Sequence, residues 1–128
     1  MKKESRDWFR VAREDLKSAK VLFKEGLFRM VGFHSQQAVE KAFKALLTEK
    51  EFRFKRIHSL IDLKGNIEKI GYKISINEEE AIFLNSIYRS RYPADLGLLP
   101  QGEPAKKDAQ RALKIAVRIL KEVYNLLK

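Results

Sequence analysis

The sequence predicts an all-α protein. Apolar residues recur at three- and four-residue spacing through five segments, the pattern of amphipathic helices. The breaks between segments carry helix-ending signals: Gly26, Gly71, and a stretch from Arg91 to Pro104 that holds all three prolines. Asn77 followed by Glu78, Glu79 and Glu80 is a helix start, with a capping acceptor and three carboxylates at the positive end of the helix dipole.

The first segment, Ser5 to Glu25, places Trp8, Val11, Ala12, Leu16, Ala19, Leu22 and Phe23 on one stripe. Ser5 is a candidate N-cap, and Gly26 stops the helix. Trp8 reads as a core or half-buried residue rather than a base-stacking platform. The second segment, Leu27 to Lys50, has an apolar arc covering more than half of its circumference, which suits a central helix packed on two or more neighbours. Its narrow polar strip holds His34, Gln37, Glu40, Lys41, Lys44 and Thr48. That strip is either a solvated face with a Glu40–Lys44 pair or a row of donors and cations for a ligand. Gly32 near the start lowers helix propensity, and a close helix crossing would explain it. The short link predicts an antiparallel hairpin of these two helices.

Glu51 to His58, EFRFKRIH, interleaves Phe52 and Phe54 with Arg53, Lys55 and Arg56. Such a run suits phosphate and base contacts, or else tucks its rings into the core and leaves its cations wet. Ser59 to Ile70 is a shorter helix, started by Ser59 or His58 and ended by Gly71. Asn77 to about Arg91 is the fourth helix, which Pro93 ends, and the Glu triplet reads as a cap rather than a metal site. Ala105 to Lys128 is the last helix, with Ile115, Ile119 and Leu126 forming a second apolar face for more than one neighbour or a second subunit.

The chain has 128 residues, a single domain over 1–128, and a 45% hydrophobic share that supports a real core. With no cysteine, disulfides, thiolate catalysis and Cys-based zinc sites are excluded. No apolar run reaches the ~20 residues of a membrane helix, and the N-terminus lacks the apolar core of a secretory signal, so a cytoplasmic protein without membrane contact is expected. The net charge of +10 favours an anionic partner such as RNA, a nucleotide or an acidic protein. Heavy Lys, Glu and Arg use fits a thermophile.

No cofactor or metal motif occurs; the only histidines are His34 and His58, without metal-ligand spacing. The remaining chemistry is cationic: Lys41, Lys44, Arg53, Lys55, Arg56, Arg89 and Arg91 with the two histidines. Arg53 and His58, separated by four residues, form a pair that in principle cleaves RNA without a metal. The imidazole would move the proton on the 2′-hydroxyl or the leaving oxygen, and the guanidinium would stabilise the phosphorane.

FHSQQAVEKAFKALL in the second helix, the later IHSL, RSRYP before the loop, and WFRVAREDLKSAKVLFKEGLF in the first helix together resemble a HEPN domain (higher eukaryotes and prokaryotes nucleotide-binding). The resemblance covers nearly the whole chain. It implies an up-and-down bundle of four to five helices, usually a homodimer. It also implies either a nucleotide- or RNA-binding module beside a separately encoded nucleotidyltransferase, or a metal-independent endoribonuclease of toxin–antitoxin or defence systems. Gln37, Lys41 and Lys44 match the family's helical stretch, His58 its His-Ser-Leu position, and Arg91, Tyr92 and Pro93 its Arg-Tyr-Pro. The binding set so implied is Gln37, Lys41, Lys44, Arg89, Arg91 and Tyr92. The family's RNases carry an R-x4–6-H motif late in the chain. Here no histidine follows Arg89 or Arg91, and the pair with that spacing, Arg53–His58, lies earlier.

Overall fold

The computed structural model describes residues 1–54, 59–89 and 103–128. Among them are five helices and no strand: α1 (Lys3–Lys24), α2 (Phe28–Glu49), α3 (Leu60–Lys69), α4 (Glu78–Arg89) and α5 (Lys106–Leu127). The His58 position and the Arg91–Tyr92–Pro93 stretch lie outside the described residues, as do Lys55 and Arg56.

The broad apolar arc of α2 has the consequence expected of it. Thirteen of its 22 residues are buried, and every other helix packs on it. α1 and α2 form the expected antiparallel hairpin. The chain reverses at Gly26, whose φ of 75° is the left-handed conformation a residue with a Cβ resists. The Leu27 N–H reaches back to the Leu22 carbonyl at 3.1 Å, closing the last turn of α1. Gly32 marks a close crossing of α2 and α4: a Cβ there would stand 2.7 Å from Ile87 Cδ1. The second apolar face of α5 is used within one chain for two of its three residues. Ile115 and Ile119 are buried, and α5 touches α1, α2 and α4, while Leu126 stays exposed.

One helix start differs from the sequence expectation, and a second, placed as expected, is capped from outside its own segment. α1 begins at Lys3, so Ser5 is a buried residue of the first turn and not the N-cap. Ser59 holds the N-cap position of α3 without a side-chain bond. The Leu60 N–H is met instead by Asn85 Oδ1 of α4, at 3.3 Å. A cap oxygen from another helix cannot be read from local spacing.

The Glu triplet does cap α4. Glu80 N–H donates to Asn77 Oδ1 at 2.7 Å, and Asn77 N–H donates to Glu80 Oε1 at 3.1 Å. Glu80 also accepts from Arg118 of α5 at 2.7 Å, and Arg118 Nε donates to Ser75 Oγ at 2.9 Å. Ser75 donates in turn, through both its N–H and its hydroxyl, to Glu122. This network fastens the α3–α4 link to α5. Burial pushes the Glu80 carboxyl up, but the Arg118 guanidinium, the Asn77 N–H and the Arg111 charge outweigh it, leaving Glu80 below its ordinary 4.5. A carboxyl depressed in the folded state stabilises above the unfolded value and loses that contribution as pH falls through the folded one. Arg118→Ala is therefore expected to cost about 1 kcal/mol at pH 7, with the gap to the parent closing below about pH 4.5 in thermal melts.

Candidate functional site

The polar strip of α2 is not a solvated face. It lies against α1, and the residue that organises it is Asp15. Asp15 sits in the apolar stripe of α1, between Ala12 and Ala19, where helical spacing turns it towards α2. Its two carboxylate oxygens are both engaged. Oδ1 is 2.8 Å from His34 Nδ1, and Oδ2 accepts from Lys41 Nζ at 2.6 Å. His34 and Lys41 are seven residues apart and share one face of α2, so a single carboxylate bridges two turns of the neighbouring helix. Between them, the Gln37 amide donates to Gln36 Oε1 at 2.8 Å.

One turn beyond Lys41 the expected Glu40–Lys44 pair forms at 3.2 Å, with side chains only 3% and 8% exposed. Lys44 also lies 5.4 Å from the Trp8 ring centre and 5.7 Å from that of Phe54. The two rings meet edge to face at 6.2 Å. The Lys44 ammonium is thus held by a carboxylate and two aromatic faces, an arrangement that compensates a desolvated cation.

Trp8 and Phe54 line a cleft of about 710 Å³ where the N-terminus of α1 meets the chain leaving α2. Phe52, Arg53, Lys2 and Lys3 line it as well. The rings of the basic-aromatic segment tuck in as the second expectation had it: Phe52 and Phe54 pack against the core, while Arg53 is exposed, and all three line the cleft. Lys2 is neutralised locally. Its N–H, 2.9 Å from Glu49, is the main cause holding that carboxyl below the ordinary range, and its ammonium does the same for Glu51 at 2.7 Å. Among the described residues, Lys3 and Arg53 are the cleft's cations without a carboxylate partner.

The residues singled out in the sequence do not converge. Gln37, Lys41 and Lys44 lie along the α1–α2 seam, and Arg53 follows the C-terminal end of α2. Arg89 ends α4 beside Tyr88, whose ring stacks on Phe33 at 5.5 Å, near the opposite end of α2. From Phe33 to Glu49 the helix rises about 24 Å, so Arg53 and Arg89 cannot serve one phosphate in a single chain. His58, Arg91 and Tyr92 are outside the described residues. Sequence reasoning missed Asp15, although a carboxylate within an apolar stripe was a visible signal. It also missed Trp8 as a wall of the cleft. No group of three or more His, Asp or Glu residues that could hold a metal occurs among the described residues.

A HEPN domain profile matches residues 5–126. The chain belongs to the HEPN domain family. Among curated proteins it is 34% identical over 131 aligned positions to "Putative toxin MJ1304" of Methanocaldococcus jannaschii, covering 91% of this chain and 84% of that one. Among solved structures it is similar to TT1696 of Thermus thermophilus, with a TM-score of 0.80 and 26% identity over 97% of this chain and 98% of the other. A HEPN domain protein of Thermotoga maritima superposes with a TM-score of 0.70 at 26% identity, covering 94% and 97% of the two chains. The archaeal HEPN homologue ST0689 gives 0.65 at 29% identity over the full length of both chains. The five-helix architecture is therefore that of the HEPN domain. No described helix is long and apolar enough to cross a membrane.

Proposed function

We propose that this HEPN chain binds RNA or a nucleotide in the cleft between the start of α1 and the end of α2, in a toxin-like role. The observation that carries the reading is the convergence of Trp8, Phe52 and Phe54 with Arg53 and Lys3 on one open cleft. Aromatic faces stack on bases whatever their sequence, and neighbouring cations neutralise phosphate. Arg53 leads directly into Lys55, Arg56 and His58, which continue the same basic segment. In this reading Gln37, Lys41 and Lys44 act by fixing α1 on α2, and so set the cleft's walls. Arg53 contacts phosphate and Phe52 stacks on the base. Arg89 would extend the surface at the other end of α2, or serve a second copy of the chain, and Arg91 and Tyr92 are kept as binding residues on the family's Arg-Tyr-Pro match alone. The toxin-like role is supported by the similarity to a protein named for a toxin; a homodimer with a separately encoded nucleotidyltransferase partner is what the family resemblance implies.

The test is fluorescence anisotropy with a short single-stranded RNA and with ATP. Affinity should fall steeply with salt, and Arg53→Glu or Phe52→Ala should each weaken it about tenfold, the worth of one phosphate or stacking contact. Binding that ignores both substitutions overturns the placement. A second reading, metal-independent RNA cleavage, rests on the exposure of Arg53 five positions before His58. The 2′-hydroxyl would attack phosphorus as His58 takes its proton, and the 5′-oxygen would leave with a proton from solvent. RNA cut in EDTA by the parent and left intact by His58→Ala would establish it; equal cleavage by both would exclude it.

A further inference from the structure

A second surface lies on the α1–α5 side of the bundle, away from the cleft. Two adjoining hollows of about 470 and 430 Å³ run along the seam and share Lys20, Val117 and Lys121. Their floor is apolar, with Leu16, Leu113, Val117 and Leu120 between the helices and the half-exposed ring of Tyr124 at one end. Their rim is basic: Arg13 and Lys20 from α1, Lys114 and Lys121 from α5. No Asp or Glu lines either hollow. Among the described residues none of these four cations has a carboxylate partner. Arg118, the fifth cation nearby, is held by Glu80 and Glu122.

We infer that this groove docks an amphipathic helix of another protein, one with aliphatic anchors on one face and carboxylates beside them. Charge complementarity selects the occupant. A groove that offers apolar surface between two rows of unpaired cations is matched by alternating apolar and acidic positions at i, i+3, i+4 and i+7. From Leu113 to Asn125 the groove runs about 18 Å, room for roughly three helical turns of ligand. A second copy of this chain fits poorly. A two-fold contact sets a patch against itself, and this patch would meet cations with cations and no carboxylate. RNA also fits poorly, because an aliphatic floor with a single exposed ring gives bases little to stack on, unlike the Trp8–Phe54 cleft. The inference is independent of the nucleic-acid reading, which concerns another face of α1, that of Lys3, Glu4 and Trp8.

The experiment uses the whole chain and two synthetic helical peptides of about five turns, with leucine at i, i+3, i+4 and i+7 and either glutamate or lysine elsewhere. A short RNA is titrated in parallel. Binding is followed by amide chemical shifts. The glutamate peptide should bind, weaken about tenfold or more on raising salt, and move the signals of Val117, Leu120 and Tyr124. Lys20→Glu with Lys121→Glu should weaken it at least tenfold and admit the lysine peptide instead, a reversal that unfolding cannot imitate. Three results overturn the inference: no binding of the glutamate peptide, a footprint elsewhere, or an RNA footprint on this groove. A drop to monomer in light scattering of the Lys20→Glu/Lys121→Glu protein would overturn it too, and assign the groove to a second copy.

Discussion

Lys44→Ala is expected to lose about 4 kcal/mol of folding free energy, seen as a fall of roughly 2 M in the urea midpoint. The magnitude follows from where the ammonium sits. Glu40 is 2% exposed, and Lys44 lies 3.2 Å from its carboxylate while also filling the space beside Trp8 and Phe54. Deleting the cation leaves a desolvated carboxylate short of its counter-ion and opens a void behind the cleft wall. Replacing both partners with apolar side chains, Glu40→Met with Lys44→Met, should recover most of the loss, because a buried pair contributes little beyond an apolar filling of equal volume. The same urea series separates two roles for this residue. A Lys44→Ala protein that unfolds like the parent yet no longer holds RNA would make the ammonium a ligand contact rather than a brace.

Asp15→Ala is expected to cost about 3 kcal/mol, less than Lys44→Ala because the Lys41 and His34 side chains retain some contact with water. Its signature lies in the couplings. With Asp15 present, Lys41→Met removes a 2.6 Å charge-assisted bond and should destabilise; in the Asp15→Ala background the same change should cost almost nothing. His34→Ala should behave likewise to a smaller degree. Additive losses in these cycles would show that Asp15 does not connect the two helices. Because Asp15 ties α1 to α2, its loss should also loosen the cleft and reduce RNA affinity in proportion, even though the residue does not line it.

Particular side chains separate what was legible along the chain from what was not. The arc of α2, the stop at Gly26, the cap at Asn77 and the close crossing at Gly32 were all readable, because each follows from local propensity or helical periodicity. The pairing of Lys41 with Asp15 was not, since the partners are 26 residues apart and their meeting depends on the rotation of α1 about its own axis. Arg53–His58 looked like a site because of spacing along the chain, and the cleft beside Arg53 adds what spacing cannot: Trp8 from the other end of the helical hairpin. Conversely, Arg53 and Arg89 looked like members of one cationic set until the length of α2 separated them.

The sequence by itself determined that this chain forms helices, where they begin and end to within a residue or two, which helix is central, and the HEPN family to which it belongs. The helices and their order rest on hydrophobic periodicity and on backbone preferences of Gly, Pro and Asn that act over a few residues; the family rests on the resemblance of whole stretches such as FHSQQAVEKAFKALL and IHSL. Only the tertiary structure decided what each charge does. Whether a lysine is a brace or a free cation depends on the carboxylate that another helix brings within hydrogen-bond distance, and on how much water is left around both. Lys41 and Lys44 were claimed by carboxylates in this way. Arg53 and the four cations of the α1–α5 groove have no carboxylate partner among the described residues.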